Sequence, residues 1–99
     1  MNITKTLDGA KLTLALVGRL DTTTAPDLQD TLIPAFAESK DITLDFSEIA
    51  YVSSAGLRVL LMAEKEATGK NASMTLTGVS EDVMEVFEMT GFAGMLTIV

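Results

Sequence analysis

The sequence predicts an α/β fold: a mixed, mostly parallel β-sheet of four or five strands, opened by an N-terminal antiparallel hairpin and flanked by three or four helices. Three observations carry this. Alternating apolar and polar segments at 11–17, 41–46 and 73–77 are each followed by a segment of helical spacing, a β-α rhythm of roughly thirty residues. Two alternating segments at the start, 2–7 and 11–17, flank Asp8-Gly9, a strong two-residue hairpin signal. Strand-helix-strand units imply parallel pairing with right-handed crossovers.

Taken in order, the opening hairpin leads to a helix over 22–38, where Leu28, Leu32, Ala35 and Phe36 recur at helical spacing. Thr22 to Thr24 offer capping hydroxyls and Pro26 suits a first turn. Pro34 removes a backbone hydrogen bond and crowds the preceding turn, which predicts a kink or an early end. DITLDF (41–46) reads as a strand. Residues 54–68 read as a helix with Leu57, Leu60 and Leu61 on one face and Gly69 as its C-cap. SMTLT (73–77) is the next strand. Ser80 caps a helix running to Thr90, with Val83, Val86 and Phe87 inward and Gly91 as its stop; the tail MLTIV makes a last short strand.

At 99 residues and 47% hydrophobic, the chain is long enough for one domain, spanning 1–99, and not for two. No Cys and no His are present, which excludes disulfides, thiol chemistry, His-based zinc sites and a Ser-His-Asp triad. Seven basic against fourteen acidic residues give a net charge of −7. The basic residues are spread along the chain, so nucleic acid is not an expected partner. No segment approaches the ~20 apolar residues of a membrane span. Asp8, Gly9 and Lys11 interrupt the N-terminal run, so a soluble, cytoplasmic protein without membrane insertion is expected. No Gly-rich phosphate loop occurs, and neither a cofactor nor a metal is expected.

Ligands of open α/β sheets gather beyond the carboxyl ends of the strands. Three turns are expected there: Gly18-Arg19-Leu20-Asp21, the loop Ser47–Ser53, and Gly78-Val79-Ser80. Parallel strands would place all three on one rim, with Asp21 and Ser54 together. Ser53 or Ser54 opens the second helix and can cap it. Gly56 early in that helix points to a close backbone approach. Asp21 reads as a loop acid or as a cap for the helix that follows. Carboxylate chemistry through Asp21 and Asp45 is open in principle. Exposed apolar residues at the rim, Leu57 or Val79, are candidate partner contacts.

The run DFSEIAYVSSAGLRVLL (45–61) resembles the signature of the STAS domain, and within it the bacterial anti-sigma factor antagonists. GRLDTTTAPDLQ (18–29) is similar to that family's Gly-x-Leu-Asp turn. The resemblance implies a STAS-like fold and a non-enzymatic switch. An unphosphorylated antagonist binds an anti-sigma factor that is also a serine kinase and frees the sigma factor. The kinase then phosphorylates the helix-opening serine, the complex dissociates, and a serine phosphatase resets it. By position that serine is Ser54, with Ser53 as second choice; Asp21, Ser53, Ser54, Gly56 and Leu57 match the partner surface. Two positions depart from the common pattern: Ser53 stands where many members have Asp, and Ala55 where another Ser is common. The alternative within the family is a non-phosphorylated regulatory subunit of a lipid-transport or stress-signalling assembly.

Overall fold

The computed structural model describes residues Met1–Val99. The order is β1 (Asn2–Asp8), β2 (Lys11–Leu20), α1 (Ala25–Ala35), β3 (Asp41–Val52), α2 (Ser54–Gly69), β4 (Ser73–Thr77), α3 (Glu81–Thr90), a 3₁₀ turn (Phe92–Gly94) and β5 (Thr97–Ile98). The strands line up as β1-β2-β3-β4-β5 in one sheet; β1 is antiparallel to β2 and all other pairs are parallel. This is the expected mixed sheet. Consecutive right-handed crossovers in such an order place all three helices on one face.

That face carries the core. Leu12, Leu14 and Leu16 of β2, Ile42, Leu44 and Phe46 of β3, and Met74 and Leu76 of β4 alternate inward and are buried. They meet Leu28 and Leu32 of α1, Leu57 and Leu60 of α2, and Val83 and Phe87 of α3. Phe46 and Phe87 pack tilted, ring centroids 6.4 Å apart. The opposite face has no helical cover. Its central row is one threonine per strand, Thr6, Thr13, Thr43, Thr75 and Thr97, each in register with the next.

Several boundaries differ from expectation, each for a local reason. The hairpin turn is Gly9-Ala10, closed by Asp8 facing Lys11, with Gly9 at φ 62 as the first central residue of a II′-like turn demands. α1 is shorter than 22–38. It ends at Ala35, one residue past Pro34, and the chain tightens through i→i+3 bonds from Ala37 to Pro34 and from Glu38 to Ala35. Of the two expectations the early end is met, one residue past Pro34. Gly69 is the last residue of α2, not its C-cap; the reversal is made by Asn71 at φ 55. α3 behaves as expected, with the Ser80 hydroxyl accepting from the Val83 amide and Gly91 at φ 81 ending it.

The largest difference is the length of the two central strands. β2 continues to Leu20 and β3 to Val52. Two register shifts between them, at Ala15/Val17 and Gly18/Leu20, each give β3 one extra residue. The buried positions of β3 consequently step from Phe46 to Ile49 to Val52, a spacing of three that hides the strand from a period-two reading.

Candidate functional site

The two long strands define the site. Leu20 and Val52 are paired at their carboxyl ends, so the chain leaves β2 at Asp21 and β3 at Ser53 side by side. The Ser53 amide donates to the Leu20 carbonyl, 2.8 Å. Gly56, two residues into α2, lies directly on Leu20: a Cβ there would stand 2.6 Å from Leu20 Cγ and 3.1 Å from the Leu20 carbonyl oxygen. The close approach signalled by this glycine is thus between α2 and the end of β2. It lets the first turn of α2 seat against the Asp21 turn.

Asp21 organises that turn. Its Oδ1 accepts from the Thr23 amide (3.0 Å) and the Thr24 amide (3.1 Å). The Thr24 hydroxyl accepts from the Asp21 amide and donates to the Arg19 carbonyl. The helix entry is therefore capped by the aspartate; Thr24, the N-cap residue, makes no side-chain cap of its own. The Thr24 amide, with the Thr23 amide beside it, holds the Asp21 carboxyl below its ordinary 3.8 against a smaller opposing effect of burial. An anionic carboxylate is thus fixed at the rim. Arg19 stands 3.7 Å from it and lies over the Tyr51 ring, 4.4 Å from the centroid.

The two serines differ. Ser53 is the N-cap: its hydroxyl accepts from the Gly56 amide, 3.3 Å. Ser54 is the first helical residue and is exposed, and its hydroxyl makes no hydrogen bond. Leu57, expected among the partner contacts, is only 5% exposed and belongs to the core beneath the rim. It is one turn from the N-cap on the sheet-facing side of α2. Gly56 is buried as well and acts through the backbone it places.

The third turn is not on this rim. β4 ends at Thr77, opposite Asp45, and Gly78 packs on Ser47, where a Cβ would stand 2.9 Å from Ser47 Cβ. From there β3 runs on to Val52 alongside β2 only, roughly 15 Å further at strand rise. The carboxyl edge is a step, and Val79 lies on the lower tread. Asp45 is there too, its carboxyl held low by the Ser47 amide, 2.9 Å away, so it is not paired with Asp21 for acid-base work. No group of three or more His, Cys, Asp or Glu comes together to hold a metal. No helix is long and apolar enough to cross a membrane.

The family model described as Mlab, STAS domain matches residues 3–98. The chain belongs to the STAS-domain family. Its relatives include the anti-sigma-B factor antagonist of Listeria monocytogenes, 28% identical over 102 residues, 99% of this chain and 90% of that one. Its fold matches the anti-sigma factor antagonist SpoIIAA in its unphosphorylated form, with a TM-score of 0.76 at 15% identity over 99% of this chain and 87% of that one. The match to the Bacillus SpoIIAA in its phosphorylated form gives a TM-score of 0.75 at 16% identity over 99% and 91%.

Within this STAS domain, the sequence reading missed Tyr51 and Arg58. Tyr51 is 42% exposed and packs with Arg19, an apolar and cationic pair beside Asp21. Extending β3 to Val52 would have revealed it. Arg58 is exposed one turn along α2 from Ser54, and its i,i+4 spacing was in plain sight.

Proposed function

We propose that this STAS domain is a phosphorylation-controlled binding protein that acts in the cytoplasm without catalysis of its own. Unphosphorylated, it binds an anti-sigma factor with serine kinase activity and so frees the sigma factor. The kinase passes the γ-phosphoryl group of ATP to Ser54 Oγ, which loses its proton, and ADP leaves. Phosphoserine then ends the binding, and a serine phosphatase restores the hydroxyl.

One observation carries the choice of residue. Of two adjacent hydroxyls, Ser53's is committed to the Gly56 amide, whereas Ser54's is exposed and unbonded at the head of α2. Phosphate on Ser54 leaves the cap intact and adds about −1.5 to −2 charges beside the Asp21 carboxylate. A partner that covers the rim must desolvate or repel that charge. A loss of about 4 kcal/mol weakens binding about a thousandfold, with no change of fold.

The test is phosphopeptide mapping of the protein from its own cells under stressed and unstressed growth, with binding measurements on Ser54→Asp and Ser54→Ala. A phosphate on Ser54 with condition-dependent occupancy, a folded Ser54→Asp that fails to bind, and a Ser54→Ala that binds constitutively are expected. A Ser54→Asp that binds as well as wild type would sink the switch. A second reading open to a STAS domain is a non-phosphorylated regulatory subunit of a lipid-transport or stress-signalling assembly. Absence of phosphate in every condition, with a co-purifying partner, would select it.

A further inference from the structure

We infer that Arg58 receives the phosphate on Ser54, holding it in an ion pair across one turn of α2 and leaving the partner-facing rim as it does so. The inference deepens the phosphorylation reading above and rests on it.

Ser54 and Arg58 stand at i and i+4 of α2, where side chains are neighbours about 5–6 Å apart at Cβ. The order is the favourable one, with the anion N-terminal to the cation. Both are exposed, and both are uncommitted. Ser54 Oγ makes no hydrogen bond, and Arg58 takes part in none of the three ion pairs, Lys5–Glu38, Arg19–Asp21 and Lys70–Glu66. Arg58 lies along the groove between α1 and α2 with Ala55, Val59 and Met62.

The rim has one other cation, and its geometry disqualifies it. Arg19 follows Gly18 and precedes the buried Leu20 on β2, so it projects from the face of the sheet opposite the one on which α2 packs. There Asp21 and the Tyr51 ring already hold it. The next cation of α2, Lys65, lies seven residues beyond Arg58, about two turns away. Arg58 alone combines reach, freedom and the planar fork that matches a phosphate in two-point hydrogen bonding.

Phosphorylation on this reading alters the rim twice. It adds the dianion, and it withdraws a guanidinium that the unphosphorylated domain offers to an acidic group of its partner. Arg58 is a positioning residue for the phosphate.

The experiment uses the full chain with phosphoserine installed at position 54 during translation, titrated by phosphorus NMR at low salt. The midpoint of the phosphoserine resonance should rise by about 0.3 pH in Arg58→Gln, as an i,i+4 pair of this kind implies. The rise should be absent in Arg19→Gln and should collapse in about 1 M salt. Arg58→Lys should recover part of it. The Nε–H proton of Arg58 should move downfield on phosphorylation of the wild type. An unchanged midpoint in Arg58→Gln, or a larger rise in Arg19→Gln, would overturn the proposal. Because the phosphate is installed without a kinase, that failure leaves the switch standing. Failure of the switch is a separate reading: phosphorylated wild type binding the anti-sigma factor as tightly as the unphosphorylated form.

Discussion

Gly56→Ala is expected to destabilise the domain, although Ala in place of a helical Gly ordinarily stabilises by about 1 kcal/mol. The added Cβ would stand 2.6 Å from Leu20 Cγ, 3.0 Å from Cδ2 and 3.1 Å from the Leu20 carbonyl oxygen. The side chain cannot swing clear, because Leu20 is fully buried. The carbonyl cannot retreat without losing its 2.8 Å bond from the Ser53 amide. Overpacking of this kind costs about 1–3 kcal/mol. Set against the gain in helix propensity, a net loss of about 1 kcal/mol remains, a fall of about 4–8 °C in Tm for a domain of this size. Gly69→Ala supplies the control. It is in the same helix, has ordinary backbone geometry, and nothing lies within 4 Å of its added Cβ, so its Tm should hold or rise. Thermal melts followed by circular dichroism compare the two. Equal rises in both variants would show that α2 does not bear on the end of β2 as described, and the account of the rim would fail with it.

Three further outcomes are expected. Ser53→Ala should lose about 1 kcal/mol by leaving the Gly56 amide uncapped, while Ser53→Asp should hold stability; urea melts distinguish them. Acid should weaken the fold through Asp21 and Asp45. Their folded-state values lie below the ordinary 3.8, so their contribution is present above that pH and is lost as pH falls through the depressed values. Asp21→Asn, which keeps the acceptor, should flatten that slope in pH-dependent melts. Glu64 acts in the opposite sense. Burial pushes its carboxyl above 4.5 and its Oε2 is enclosed without a partner, so its contribution is present below 4.5 and is lost as pH rises through the raised value. Glu64→Gln should therefore raise Tm at neutral pH relative to wild type.

The parts of the fold written in local chemistry were legible. β4 and α3 came from alternation, a serine cap and a glycine stop, all determined by near neighbours in the chain. The extension of β3 through Ser47–Val52 was not, because its bulges arise from pairing with β2 and shift the buried positions from a spacing of two to one of three. The same error put Gly78 on the rim and hid Tyr51 from it. Asp21 and Ser54 were placed together correctly because each follows a parallel strand that ends at the same level. Leu57 was misjudged because a helix entering beside a glycine presses its first turn onto the sheet, and sequence spacing does not say how close that contact is. Which of Ser53 and Ser54 serves as cap is a matter of one backbone angle, ψ 174 at Ser53, which composition leaves open.

The row of five threonines has a consequence for how the domain lives among other proteins. A sheet covered on one side only normally presents its bare side as an invitation to stack, and strands rich in Val or Ile would make that side adhesive. Threonine has the branched Cβ that favours an extended chain and ends in a hydroxyl that water satisfies. A 99-residue chain can thus devote its large apolar side chains to a single layer of helices and still keep a quiet back. That back is the natural place to attach a label or a surface when the rim is to be left free, and replacing Thr13, Thr43 and Thr75 with valine would make it adhesive.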